Sequence, residues 1–68
     1  MKEIELIGDH ITLGQVLKLL GEAGTGGEAK RFLEETPVLV NGEAEQRRGR
    51  KLRKGDVIKC DGQEVGIV

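Results

Sequence analysis

The sequence predicts an α+β fold: one short strand, then two short helices, then several more strands. Three observations carry that expectation. The chain opens with an alternating apolar–polar stretch, two capped helical segments follow across a glycine-rich break, and turn-forming dipeptides punctuate the second half. At 68 residues the chain is expected to form a single domain spanning positions 1–68. A domain of this size buries only about 60% of its unfolded surface, so its core is thin.

The first element is KEIELI, where Glu3 and Glu5 alternate with Ile4 and Leu6. A period of two marks a half-buried strand, and Gly8-Asp9-His10 breaks it. Thr12 opens the first helix, and Gln15 three residues later completes a capping box. Leu13, Val16, Leu17 and Leu20 follow on one apolar stripe, and Gly21 and Gly24 end it. Thr25 with Glu28 is a second start signal, and Ala29, Phe32 and Leu33 form the apolar side of that helix. Lys30 and Arg31 point outward beside the stripe, and Thr36-Pro37 stops the helix. The pair forms a helix-turn-helix-like hairpin. Val38-Leu39-Val40 then leads into Asn41-Gly42, a strong hairpin signal. Lys54-Gly55-Asp56 and Asp61-Gly62 are two more turns, each ahead of a strand.

Apolar residues make up 37% of the chain and charged residues 34%, which suits a small globular domain and leaves little apolar material to wall an enzyme's cavity. Cys60 is the single cysteine and His10 the single histidine, so neither an internal disulfide nor a four-ligand zinc site is expected. Cys60 is expected to pack as a small hydrophobe and His10 to sit in a solvated loop. No cofactor, metal or small-molecule substrate is expected. MKEIELIGDH lacks a signal peptide's apolar region, and no apolar run is long enough for a membrane span, so a cytoplasmic location is the expectation.

The charge is unevenly distributed. Met1–Gln46 holds four basic and nine acidic residues, a net of −5, whereas Arg47–Val68 holds seven basic and three acidic, a net of +4. Six of the eleven basic residues fall between Arg47 and Lys54, in QRRGRKLRKGD. A solvated loop explains many such runs. Here four arginines, whose planar forks match phosphate oxygens, sit between turn and strand signals, which describes a presented loop. Within it RRGRK is the binding portion, Gly49 lets the loop bend and Leu52 anchors it to the core.

A second positive surface is expected on the helical hairpin, from Lys30, Arg31 and the amides of Gly26 and Gly27. Free amides at a helix start, backed by the helix dipole, can hold a phosphate oxygen, although the same glycines also serve a tight interhelical turn. GTGGEA fits the dinucleotide pattern G-x-G-x-x-A but follows a helix and has no βαβ unit around it, so a nucleotide site is not expected. With Phe32 the one aromatic residue, base stacking is excluded as a mechanism. Backbone and shape recognition of structured RNA is the better fit.

The stretches from Thr12 to Leu20, TGGEAKRFL, VLVNGE and RKGDVI resemble the S4-type RNA-binding domain, over roughly Ile11 to Cys60. The length and the run NGEAEQRRGRKLRKGDVI are similar to the small stand-alone members of the YaaA/YbcJ type. The resemblance implies the αL motif, two short N-terminal helices packed on a small, mostly antiparallel β-sheet, and a role in binding structured RNA, often ribosomal. Members commonly open the second helix with Ser-Arg, and the places here are Thr25 and Gly26, so the usual arginine is missing while Lys30 keeps a phosphate-facing charge. The first helix often begins Arg-Leu-Asp, and here it is Thr12-Leu13-Gly14, with Lys18 keeping a basic place.

The expected function is therefore non-enzymatic binding of structured RNA, with ribosomal RNA or an assembly intermediate as the partner. The expected RNA-binding residues are Arg47, Arg48, Arg50, Lys51, Arg53, Lys30, Arg31, Gly26, Gly27 and Lys18. Two alternatives are a module whose basic loop binds an acidic protein and a ubiquitin-like sulfur carrier, which shares the VNGE-like hairpin but needs a C-terminal Gly-Gly.

Overall fold

In the computed structural model, which describes residues 1–68, the opening alternation becomes strand β1 (Lys2–Ile4). A two-residue strand β2 (Ile11–Thr12) runs directly into helix α1 (Leu13–Leu19). Thr12 belongs to both elements because an N-cap residue keeps extended backbone, here φ −85° and ψ 157°. The capping box is complete: the Gln15 amide donates to Thr12 Oγ1 at 3.2 Å and the Thr12 amide to Gln15 Oε1 at 2.9 Å. Leu13, Val16 and Leu17 are buried and Leu20 is half-buried. At the other end Gly21 takes φ +79°, Gly21 N–H donates to Lys18 O and Glu22 N–H to Leu17 O, the bond pair of a Schellman motif.

Helix α2 (Gly26–Glu35) starts at Thr25, whose Oγ1 accepts from the Glu28 amide at 3.2 Å. It buries Ala29 and Leu33, keeps Phe32 half-buried against the core, and stops at Thr36, which is extended ahead of Pro37. Five strands follow: β3 (Val38–Val40), β4 (Glu43–Ala44), β5 (Lys51–Leu52), β6 (Val57–Cys60) and β7 (Gln63–Ile67). Asn41 and Gly42 both have positive φ, 51° and 84°, as a two-residue type I′ hairpin requires between β3 and β4. Asp61 and Gly62 repeat the device between β6 and β7.

The main sheet has the order β1-β7-β6-β3-β4, antiparallel except where β1 runs parallel to β7. β2 and β5 form a separate antiparallel pair, Ile11 opposite Leu52 and Thr12 opposite Lys51. The basic run is thus not loop throughout, since its Lys51-Leu52 is a strand tied to the start of α1. Leu52 is fully buried and joins one apolar cluster with Leu13, Val16, Leu17 and Leu33 of the helices and Val38, Ile58, Val65 and Ile67 of the sheet. Gly66 lies within the paired part of β7, so it is not available as a carrier's tail glycine.

Two turns that the sequence shows separately are one unit in space. Asn41 Nδ2 donates to Asp56 Oδ1 at 3.0 Å, the Val57 amide donates to Asn41 Oδ1 at 2.9 Å, and the Asn41 amide donates to Val57 O at 2.8 Å. Asp56 Oδ2 in turn accepts from the Arg53 amide at 2.7 Å, closing the turn in which Gly55 has φ +98°. This lock fixes the C-terminal end of the basic segment against the β3–β4 hairpin.

Candidate functional site

The backbone of the basic segment is fastened to the N-terminus of α1. Leu13 N–H donates to Arg50 O at 2.9 Å and Gly14 N–H to Arg48 O at 2.8 Å. With the Gln15 amide on Thr12 Oγ1, the first-turn amides of α1 are all occupied. Those of α2 are not: Glu28 and Ala29 bond to Thr25, while the Gly26 and Gly27 amides donate to no protein group.

Arg48 lies over this open helix start. A methyl group at Gly26 would collide with Arg48 Nη1, and one at Gly14 would press on Arg48 O at 3.3 Å and its Cβ at 3.5 Å. The absence of side chains at Gly14 and Gly26 is what lets the loop and its guanidinium settle there. Arg48 occupies the space beside each. Around it a depression of about 440 Å3 is lined by Thr12, Gln15, Lys18, Thr25 and Gly49 together with Gly14, Gly26 and Arg48. Arg48, Lys18 and Gly26 of the expected residues are therefore together, with Gly27 one residue further into α2. Lys30 is one turn beyond Gly26 on the same side of α2, exposed and outside the lining of the depression.

The other expected residues are dispersed. Arg47 turns away from Arg48: its Nε and Nη2 donate to Glu45 Oε2 and Oε1 at 3.1 and 3.0 Å. Arg50 Nη1 reaches Glu45 Oε1 at 3.0 Å. Arg53 approaches Asp9 at 3.9 Å, and Arg31 pairs with Glu35 at 3.2 Å, next to Glu22 and Glu28 and away from the depression. Arg48 is the one arginine of the run without a carboxylate partner. Lys51 is exposed beside Thr12, and Lys54 is exposed in the turn.

Sequence reading missed Glu45. Its side chain is 8% exposed although Glu43, two residues earlier in β4, is open to solvent. The signal was available as an acid at the edge of an arginine cluster, two positions before Arg47 and five before Arg50. The Arg47 side chain, together with the Arg47 amide and Arg50, outweighs burial and holds the Glu45 carboxyl at about 2. The Arg53 amide is the main cause holding Asp56 below the usual carboxylate range. Both folded-state values lie below those of the unfolded chain, so both carboxylates stabilise the fold above the unfolded value, about 4.5 for Glu45, and that contribution is lost as pH falls toward about 2. The urea midpoint is expected to hold steady from pH 7 to 5 and then fall below pH 4.5. Glu45 contributes about 1 kcal/mol of this after solvent screening. Urea titrations of the protein and Glu45→Gln across that range check it: the variant's profile should be flatter.

Cys60 is buried among the strands, and that burial pushes its thiol up, away from a reactive thiolate. His10 lies beside Asp9 at 3.7 Å in the segment before β2. No three His, Cys, Asp or Glu side chains gather in a metal-binding group, and no helix is long and apolar enough to cross a membrane.

Compared with known proteins, residues 4–68 match the family model described as S4 domain. The chain belongs to the S4 domain family. The chain is also similar to the probable ribosome maturation protein RlbA of Bacillus subtilis (strain 168), 52% identical over 59 residues, which cover 87% of this chain and 83% of that protein. The S4 match takes in both helices and the whole basic segment, so the depression and Arg48 lie inside it.

Proposed function

We propose that the protein binds structured RNA without catalysing a reaction, and that the surface used is the depression at the start of α2 with the outer face of the basic segment. The carrying observation is the Arg48 guanidinium, without a carboxylate partner, lying over Gly26 at a helix start whose first two amides donate to no protein group. A phosphate oxygen there would meet charge-assisted hydrogen bonds from both sides. Arg48 thus brings to the start of α2 an arginine from another segment of the chain.

Lys18, Lys30, Lys51, Lys54 and Arg53 would extend the contact along the strand, while the acidic first part of the chain orients it. Arg47 and Arg50, bound to Glu45, support the loop more than they touch the RNA, and Arg31 stands outside the surface. The name of the Bacillus subtilis relative points to a ribosome precursor as the RNA and hence to a cytoplasmic role.

The test is a titration of hairpin RNA, duplex RNA, duplex DNA and an acidic peptide at two salt concentrations. Engagement of about four to six phosphates predicts that log affinity for RNA falls with log salt at a slope of about −3.5 to −5.5. Preference for the acidic peptide over RNA, or RNA binding indifferent to salt, would overturn the reading.

A further inference from the structure

We propose that Glu45 is the positioning residue of the basic segment, its carboxylate setting the backbone path that brings Arg48 to the start of α2. The inference rests on the RNA-binding reading for its consequence and on geometry for its substance. Glu45 is itself anchored, because its amide donates to Val38 O at 2.9 Å and so continues the β3–β4 pairing by one residue. From that fixed point its two oxygens collect five donors. Oε2 takes the Gln46 amide, the Arg47 amide and Arg47 Nε, each at 3.1 Å. Oε1 takes Arg47 Nη2 and Arg50 Nη1, each at 3.0 Å.

These bonds act on the chain either side of Arg48. Arg47 is held by backbone and side chain, Arg50 by its side chain, and Arg50 N–H closes the turn on Arg47 O at 3.2 Å. The carbonyls of Arg48 and Arg50 then face α1 and accept from Gly14 and Leu13. With the flanking arginines drawn to one side, Arg48 projects to the other, over Gly26. Without the carboxylate, four arginines within seven residues would repel one another, and the bonds that draw Arg47 and Arg50 to the side away from the helix would be lost.

The sign of one measurement separates positioning from simple electrostatics. An acid within a phosphate-binding segment repels the ligand, so neutralising it should strengthen binding if charge were its whole effect. Positioning demands the opposite. Glu45→Gln in the full chain is expected to bind hairpin RNA three- to tenfold more weakly, although the protein has become more positive. Amide hydrogen exchange at Leu13 and Gly14, whose acceptors are carbonyls of the segment, is expected to speed up more than at Ile58 and Val65 in the core.

Stronger RNA binding by Glu45→Gln, or exchange at Leu13 and Gly14 that moves only in step with the core, overturns the proposal. Should the unmodified protein fail to bind RNA, the RNA reading falls while the exchange comparison still decides the positioning. Should Glu45→Gln fail to fold, Arg50→Gln, which leaves Glu45 paired with Arg47, is read by exchange alone against the same criterion.

Discussion

Arg48→Ala is expected to weaken hairpin-RNA binding roughly tenfold, about 1.4 kcal/mol, and to lower the salt slope by about one unit. Arg47→Ala, one residue away, is expected to cost less than about threefold, because its charge is already satisfied by Glu45. The contrast separates a placed phosphate contact from a general positive potential, which would make the two changes equivalent. Gly26→Ala supplies an independent check. Gly26 is the first helical residue and has no positive φ, so alanine suits its backbone at least as well as glycine and the fold should not suffer. The added methyl nevertheless takes the space of Arg48 Nη1 and swings the guanidinium off the helix start. Its affinity should fall nearly as far as that of Arg48→Ala, while thermal stability holds or rises. Equal losses in Arg47→Ala and Arg48→Ala, or unchanged binding by Gly26→Ala, would sink the assignment of Arg48. Removing Arg47, Arg48 and Arg50 together, the change that the charge run by itself invites, is a poorer experiment. It strands the buried Glu45 carboxylate without a cation, and lost affinity would then be mixed with lost fold.

Leu52→Ala is expected to remove about 2–5 kcal/mol of stability, the usual range for a fully buried leucine. For a domain this small, each kcal/mol moves the melting temperature by about 4–8 °C, so a fall of more than about 10 °C should appear in a thermal circular-dichroism scan. Leu52 is the point where the basic segment enters the core. It pairs with Ile11 just before the capped start of α1 and packs with residues of both helices and the sheet. The cavity would loosen β2 and β5 together, and with them the Arg48 and Arg50 carbonyls that α1 uses as acceptors. Below the melting transition the variant should also bind RNA less well than its folded fraction accounts for. A shift of less than about 4 °C would show that the segment is held by its hydrogen bonds and not through the core.

Much of the fold is legible residue by residue because its devices are local. The Thr12–Gln15 box and the Thr25 cap rest on residues three apart, and the Asn41-Gly42 and Asp61-Gly62 hairpins need positive φ at adjacent positions that Asn, Asp and Gly accept. The parallel pairing of β1 with β7 is not legible, because it joins the two ends of the chain and no local pattern records which strands become neighbours. The short β5 was hidden for a related reason. Lys51-Leu52 has no strand character of its own and exists because Ile11-Thr12 offers it a partner.

The candidate site divides along the same line. Sequence by itself determined the stock of charge: six cations in eight positions, glycines at the start of a capped helix, and an acidic remainder that leaves one positive region. Those are properties of composition and of neighbours along the chain. Which cations are free was decided only in the tertiary structure. Arg47, Arg48 and Arg50 are equivalent as letters, but Glu45 takes two of them, while Gly14 and Gly26 make room for the third. The physical reason is range: a guanidinium's partner is whichever carboxylate or open helix end the fold brings within hydrogen-bonding distance, and chain order does not specify that distance.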